Sequence, residues 1–84
     1  MNQINPTPEQ VQNYITAELP CSYIKVEGDG RHFSALIVSP EFEGLRTIAR
    51  HQRVYAALGD RMKEEIHALS MKTYTPGEYE ESKN

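Results

Sequence analysis

The chain has 84 residues, enough for one domain that buries only about 60 to 65% of its unfolded surface, and so has one thin core and no room for an enclosed multi-step active site. Hydrophobic residues at 38% and charged residues at 25% are ordinary for a soluble folded domain and exclude a disordered one. A net charge of -3 argues against a dedicated binder of nucleic-acid backbone, the lone Cys21 forbids an internal disulfide, and no apolar run reaches the ~18 residues of a membrane span.

The N-terminal MNQINPTPEQ has neither a basic start nor an apolar segment, so the expected location is the cytoplasm and no membrane partner is expected. Thr7-Pro8-Glu9-Gln10 reads as a helix start: Thr as N-cap, Pro at the first helical position, and Gln three residues after the cap. The spacing of Val11, Tyr14, Ile15 and Leu19 predicts a buried stripe on a helix running to about Ala17 or Leu19, ended by Pro20. Cys21–Glu27 and Arg31–Ser39 alternate in pattern and flank Gly28-Asp29-Gly30, where Asp-Gly signals a tight two-residue turn, so they predict an antiparallel hairpin. The second strand is apolar on both phases in its later half, which suggests a central place in the sheet.

After SPEFEG, Leu45, Ile48, Tyr55, Leu58, Met62 and Ile66 recur at helical spacing, with Arg46, Arg50, Arg53, Arg61 and Lys63 facing outward. This predicts one long helix, or two short ones broken near Gly59-Asp60. His67–Tyr74 alternates again as a third strand. Thr75-Pro76-Gly77-Glu78 opens a last short helix before the polar tail EESKN. The whole reads as one domain over 1–84, with 1–5 and 80–84 as flexible tails. Its class is α/β in the α+β sense, in the order α-β-β-α-α-β-α, with a three-stranded mixed sheet and helices on one face.

The joint from the second strand through the helical segment to the third strand carries the functional reading. If those strands are sheet neighbours, the crossover makes them parallel, so they begin at the same edge. His32 opens one and His67 the other, and the two imidazoles would then meet on strands about 4.8 Å apart. Two histidines are too few for a structural zinc site, so a metal here needs ligands from a partner. His51, on the helix and displaced from that edge, reads as a surface or capping residue. Ser39, Ser70 and Cys21 have no base or orienting group at a useful spacing, and no catalytic turnover is expected.

FEGLRTIARHQRVYAAL followed by IHALSMKTYTP resembles the BolA family: Phe42-x-Gly44, then Arg50-His51 and Val54, then His67-Ala68 opening a strand and a Thr-Pro near the C-terminus. The resemblance covers about Val26 to Tyr79. It implies a KH-like fold of the second type and a partnership with monothiol glutaredoxins, in which a two-iron two-sulfur (2Fe-2S) cluster is shared. There the glutaredoxin supplies a cysteine and bound glutathione a thiolate. The BolA-like protein supplies His67 and a hairpin-loop residue that is Cys in some members and His in others, here His32. The isolated chain would carry no cluster. A role as a KH-like nucleic-acid-binding regulator is also attributed to the family, with Arg46, Arg50, Arg53 and Arg61 as the candidate contacts to DNA.

Overall fold

Both short helices that flank the sheet begin at a Thr-Pro pair closed by a reciprocal side chain. The computed structural model describes residues 6–60 and 68–83. In α1 (Pro8–Glu18), Thr7 Oγ1 accepts the N–H of Gln10 at 3.1 Å while the Gln10 side chain accepts the N–H of Thr7 at 3.0 Å. Two of the helix's orphan donors are thereby satisfied. The chain continues through β1 (Tyr23–Gly28), β2 (His32–Val38), a single 3-10 turn (Pro40–Phe42), α2 (Thr47–Leu58), β3 (Ala68–Tyr74) and α3 (Pro76–Ser82). Thr75 and Glu78 repeat the reciprocal cap at α3.

The sheet order is β1-β2-β3. β1 and β2 are antiparallel, from Tyr23 opposite Val38 to Gly28 opposite Phe33. β2 and β3 are parallel, from His32 opposite Ala68 to Val38 opposite Tyr74. The mixed sheet and its apolar central strand follow the pattern in the sequence. Because side chains alternate across a strand, Val26, Phe33, Ala35 and Ile37 share one face, where they pack with Val11, Ile15 and Leu19 before the sheet and Phe42, Val54, Ala57 and Leu58 after it. The other phase carries Lys25, Glu27, Ser34, Leu36, Ser70 and Lys72, which line an open groove of about 540 Å³. At the far end of that face Tyr79 of α3 stacks on Tyr23, ring centroids 5.6 Å apart, and lies 6.0 Å from Tyr74.

The helical stripe after SPEFEG is corrected. Leu58 is buried as expected, but Ile48 is 71% exposed and Tyr55 40%, and the residues buried beside Leu58 are Val54 and Ala57. Arg50 does not face outward: its side chain is only 12% exposed, so a cation occupies a position on the inner side of α2 and turns the apolar stripe away from Ile48 and Tyr55. The helix ends at Leu58, where Gly59 has φ 61°, a left-handed conformation that glycine adopts without penalty. α2 therefore stops at the expected break near Gly59-Asp60 rather than running on unbroken, and the second short helix of that alternative falls outside the described residues. Arg61, Met62, Lys63, Ile66 and His67 lie outside the described residues. α3 runs through Ser82, into the stretch expected as tail, while residues 1–5 and 84 lie outside the described residues. Met71, half-buried, packs against the core.

Candidate functional site

The rim of the sheet where β2 begins is built by Asp29. The expected two-residue Asp-Gly turn is instead a three-residue loop, Asp29 to Arg31, because Gly28 stays paired in β1 and β2 begins at His32, one residue later than expected. Asp29 Oδ1 accepts the N–H of Arg31 at 3.0 Å and of His32 at 2.9 Å. The Asp29 N–H donates to the carbonyl of His32 at 3.2 Å. Those N–H groups of His32 and Arg31 hold the Asp29 carboxyl below the usual carboxylate range, since a carboxylate that accepts backbone donors is favoured in its charged form. Gly30 turns the chain with φ 100°. Gly28 is required for a different reason: a Cβ there would sit 2.5 Å from the His32 carbonyl oxygen and 2.6 Å from the Phe33 ring.

His32 leaves this loop on the same strand phase as Ser34 and Leu36, the open face of the sheet. It is exposed, and among the described residues no hydrogen bond or ion pair holds its imidazole. Its neighbour on β3 is Ala68, whose N–H donates to the carbonyl of Arg31 at 3.1 Å. A methyl group beside the ring leaves it accessible. The residue before Ala68 in the chain is His67, the other predicted ligand, which lies outside the described residues. Among the described residues no three His, Cys, Asp or Glu side chains gather closely enough to hold a metal ion. The exposed imidazole at this rim is a nitrogen donor of the kind that iron accepts when neutral. Cys21 lies beyond the opposite end of β1, roughly 25 Å along the strand direction. It is half-buried, with its thiol directed at the Leu19 carbonyl at 3.3 Å, and burial pushes its pKa up. His51 is half-buried on α2, a different element from either predicted ligand.

The arginine set is divided by its partners. Arg50 Nε donates to the Leu45 carbonyl at 2.8 Å and Nη1 to the Thr73 carbonyl at 3.2 Å, while Nη1 and Nη2 make a two-pronged pair with Glu78 at 2.7 and 3.0 Å. That pair, with the N–H of Thr75, draws the Glu78 carboxyl from 4.5 down to about 2. Arg53 reaches the Glu18 carbonyl at 3.2 Å and Glu41 at 3.4 Å. Arg46, the N-cap of α2, makes no side-chain cap bond and is exposed. Arg50 and Arg53 thus fasten α2 to its surroundings, and Arg61 lies outside the described residues. Ser39 is likewise structural: buried, its hydroxyl donates to the Pro20 carbonyl and accepts the N–H of Glu41.

Asp29 and Arg50 are the residues whose roles the sequence reading missed. For Asp29 there was a signal, since an aspartate two or three residues before backbone donors in a turn is a common self-capping arrangement. Arg50 gave none, because its partners Thr73 and Glu78 lie far along the chain.

A family model described as BolA-like protein matches residues 5–78. The chain belongs to the BolA family. It is 34% identical over 71 residues to the acid stress protein IbaG of Escherichia coli strain K12, covering 83% of this chain and 84% of that one. It is 40% identical over 52 residues to the DNA-binding transcriptional regulator BolA of Haemophilus influenzae, covering 62% of this chain. The matched segment spans about half the length of that relative, 50%. The solved BolA homologue from Coxiella burnetii superposes with a TM-score of 0.78 at 47% identity, covering 89% of this chain and 97% of that one. The BolA resemblance found in the sequence between Val26 and Tyr79 therefore extends over nearly the whole fold. No helix among the described residues is long and apolar enough to cross a membrane.

Proposed function

We propose that this BolA-family chain is a cytoplasmic partner protein, not an enzyme, that shares a two-iron two-sulfur cluster with a monothiol glutaredoxin and its glutathione. His32 and His67 supply the imidazole ligands from this side. The observation that carries the reading is His32 itself: an exposed imidazole with no protein partner among the described residues, at the first position of the central strand, in parallel register with Ala68, the residue that follows His67. A core residue would be packed and a structural histidine would be hydrogen-bonded; this one is neither. The cluster is cargo, completed by thiolates from the partner, which suits a chain with a single half-buried cysteine. Two nitrogen ligands on one iron make the cluster less negative and raise its reduction potential.

Anaerobic reconstitution with a monothiol glutaredoxin and glutathione tests the proposal. Visible absorbance from a bound cluster is expected to differ between the mixed complex and glutaredoxin alone, and the difference to vanish with His67→Ala and to shift with His32→Ala, which leaves one imidazole ligand. Identical spectra with and without this chain would reject it.

A second reading, regulation through DNA, is supported by the likeness to the Haemophilus influenzae relative, a DNA-binding transcriptional regulator. Here it would rest on Arg46 and Arg61 more than on Arg50 and Arg53, whose guanidinium groups are engaged within the protein. The two readings separate cleanly: DNA affinity falls steeply with added salt and is lost with Arg46→Ala, whereas cluster sharing is lost with His67→Ala.

A further inference from the structure

Among the described residues no hydrogen bond or ion pair holds the imidazole of His32, so its placement follows the backbone from which it projects. Within the hairpin loop, the residue that fastens that backbone is Asp29. Asp29 makes three hydrogen bonds across the loop: its carboxylate accepts from Arg31 and His32 at 3.0 and 2.9 Å, and its N–H donates to the His32 carbonyl at 3.2 Å. The His32 carbonyl in turn packs so closely against Gly28 that no Cβ fits between them. Strand pairing flanks this corner, with Phe33 opposite Gly28 and His32 opposite Ala68, and the Ala68 N–H donates to the Arg31 carbonyl at 3.1 Å.

We infer that Asp29 is a positioning residue for the His32 ligand: its side chain pre-forms the loop so that the imidazole is presented on the open face before any partner arrives. This rests on the cluster-sharing reading above. Groups that orient a ligand without touching the metal change metal affinity by about 10- to 100-fold when removed. Two features of the loop make the effect separable from simple stability. Asp29 and Arg31 are exposed and no loop residue belongs to the apolar core, and an amide oxygen can accept the same two backbone N–H bonds as the carboxylate. Asp29→Asn therefore keeps the positioning and loses the charge, whereas Asp29→Ala loses both.

The experiment uses the full chain, reconstituted with a monothiol glutaredoxin and glutathione, with nitrogen hyperfine coupling to the reduced cluster as the readout beside the apparent affinity of the complex. Wild type is expected to show nitrogen coupling. Asp29→Ala is expected to assemble the complex about tenfold more weakly and with a broadened or reduced nitrogen signal, while its thermal midpoint without the partner stays near that of wild type. Asp29→Asn is expected to restore both the affinity and the signal. Equal affinity and an unchanged nitrogen signal in Asp29→Ala would overturn the inference while leaving the cluster-sharing reading intact. Loss of affinity in Asp29→Asn equal to that in Asp29→Ala would also overturn it, because the charge and not the positioning would then matter. A wild-type complex without nitrogen coupling would defeat the cluster reading itself. Amide exchange at Arg31 and His32 in the chain alone, faster in Asp29→Ala and not in Asp29→Asn, checks the loop independently of any metal.

Discussion

The two faces of the sheet are held by different forces. The inner face is closed by α1 and α2 and filled by apolar side chains, Phe42, Ile15, Leu19 and Leu58 among the most deeply buried. The rim of the outer face, where His32 sits, is held by hydrogen bonds from one aspartate and by a glycine too crowded to carry a side chain. The difference teaches that stability and presentation are separable here. Changes on the inner face should unfold the protein, and changes at the rim should leave it folded but poorer at engaging a partner.

The largest expected effect is on the inner face. Phe42→Ala removes a ring with no solvent exposure and should cost about 3–5 kcal/mol in urea denaturation; a loss below 1 kcal/mol would mean that the core does not depend on that ring. Next comes Arg50→Ala, which strands the Leu45 and Thr73 carbonyls and the Glu78 carboxylate. Hydrogen bonds to a charged donor set the scale, about 2 kcal/mol; a neutral result would show that water replaces the guanidinium without loss.

The acid limb of the stability profile comes third. Glu78 has its carboxyl drawn from 4.5 to about 2 in the fold, so the contribution of its ionised form is fully present above about pH 4.5 and is lost as pH falls through that window toward 2. Asp29, also lowered, has the same sign. Glu78→Gln should flatten the fall in denaturation midpoint between pH 4.5 and 2, and a profile identical to wild type would contradict the assigned shift. Smallest of all, Ile48→Ala should change stability by no more than about 0.5 kcal/mol, because this side chain is 71% exposed. A loss of several times that would put Ile48 back in the core.

Local chemistry made much of the fold readable in advance. Thr7-Pro8 with Gln10 and Thr75-Pro76 with Glu78 are capping pairs whose meaning lies within four residues. The hairpin and the parallel joint follow from alternation and from a crossover too long for a turn. Where the reading failed, the cause was a contact distant in sequence. Ile48 and Tyr55 fit a helical period as well as Val54, Ala57 and Leu58 do. What decides between the two stripes is Arg50, a cation drawn inward by Glu78 from α3 and by the Thr73 carbonyl. No periodicity of apolar residues registers a buried charge. At the site, topology brought the start of β2 and the start of β3 together, but Asp29 was visible only as a turn former, since its capture of the His32 N–H depends on a three-residue loop that arises because β2 begins at His32 and not at Arg31.

The central claim is that the imidazole on the first residue of β2 is a ligand offered to a partner's cluster. Pulsed electron paramagnetic resonance of the reduced mixed complex with a monothiol glutaredoxin and glutathione addresses it most directly, comparing wild type with His32→Ala. The account predicts nitrogen coupling from two imidazoles in wild type and the loss of one of them in His32→Ala, with the apoprotein's denaturation midpoint unchanged; an identical nitrogen signal in both proteins would contradict it.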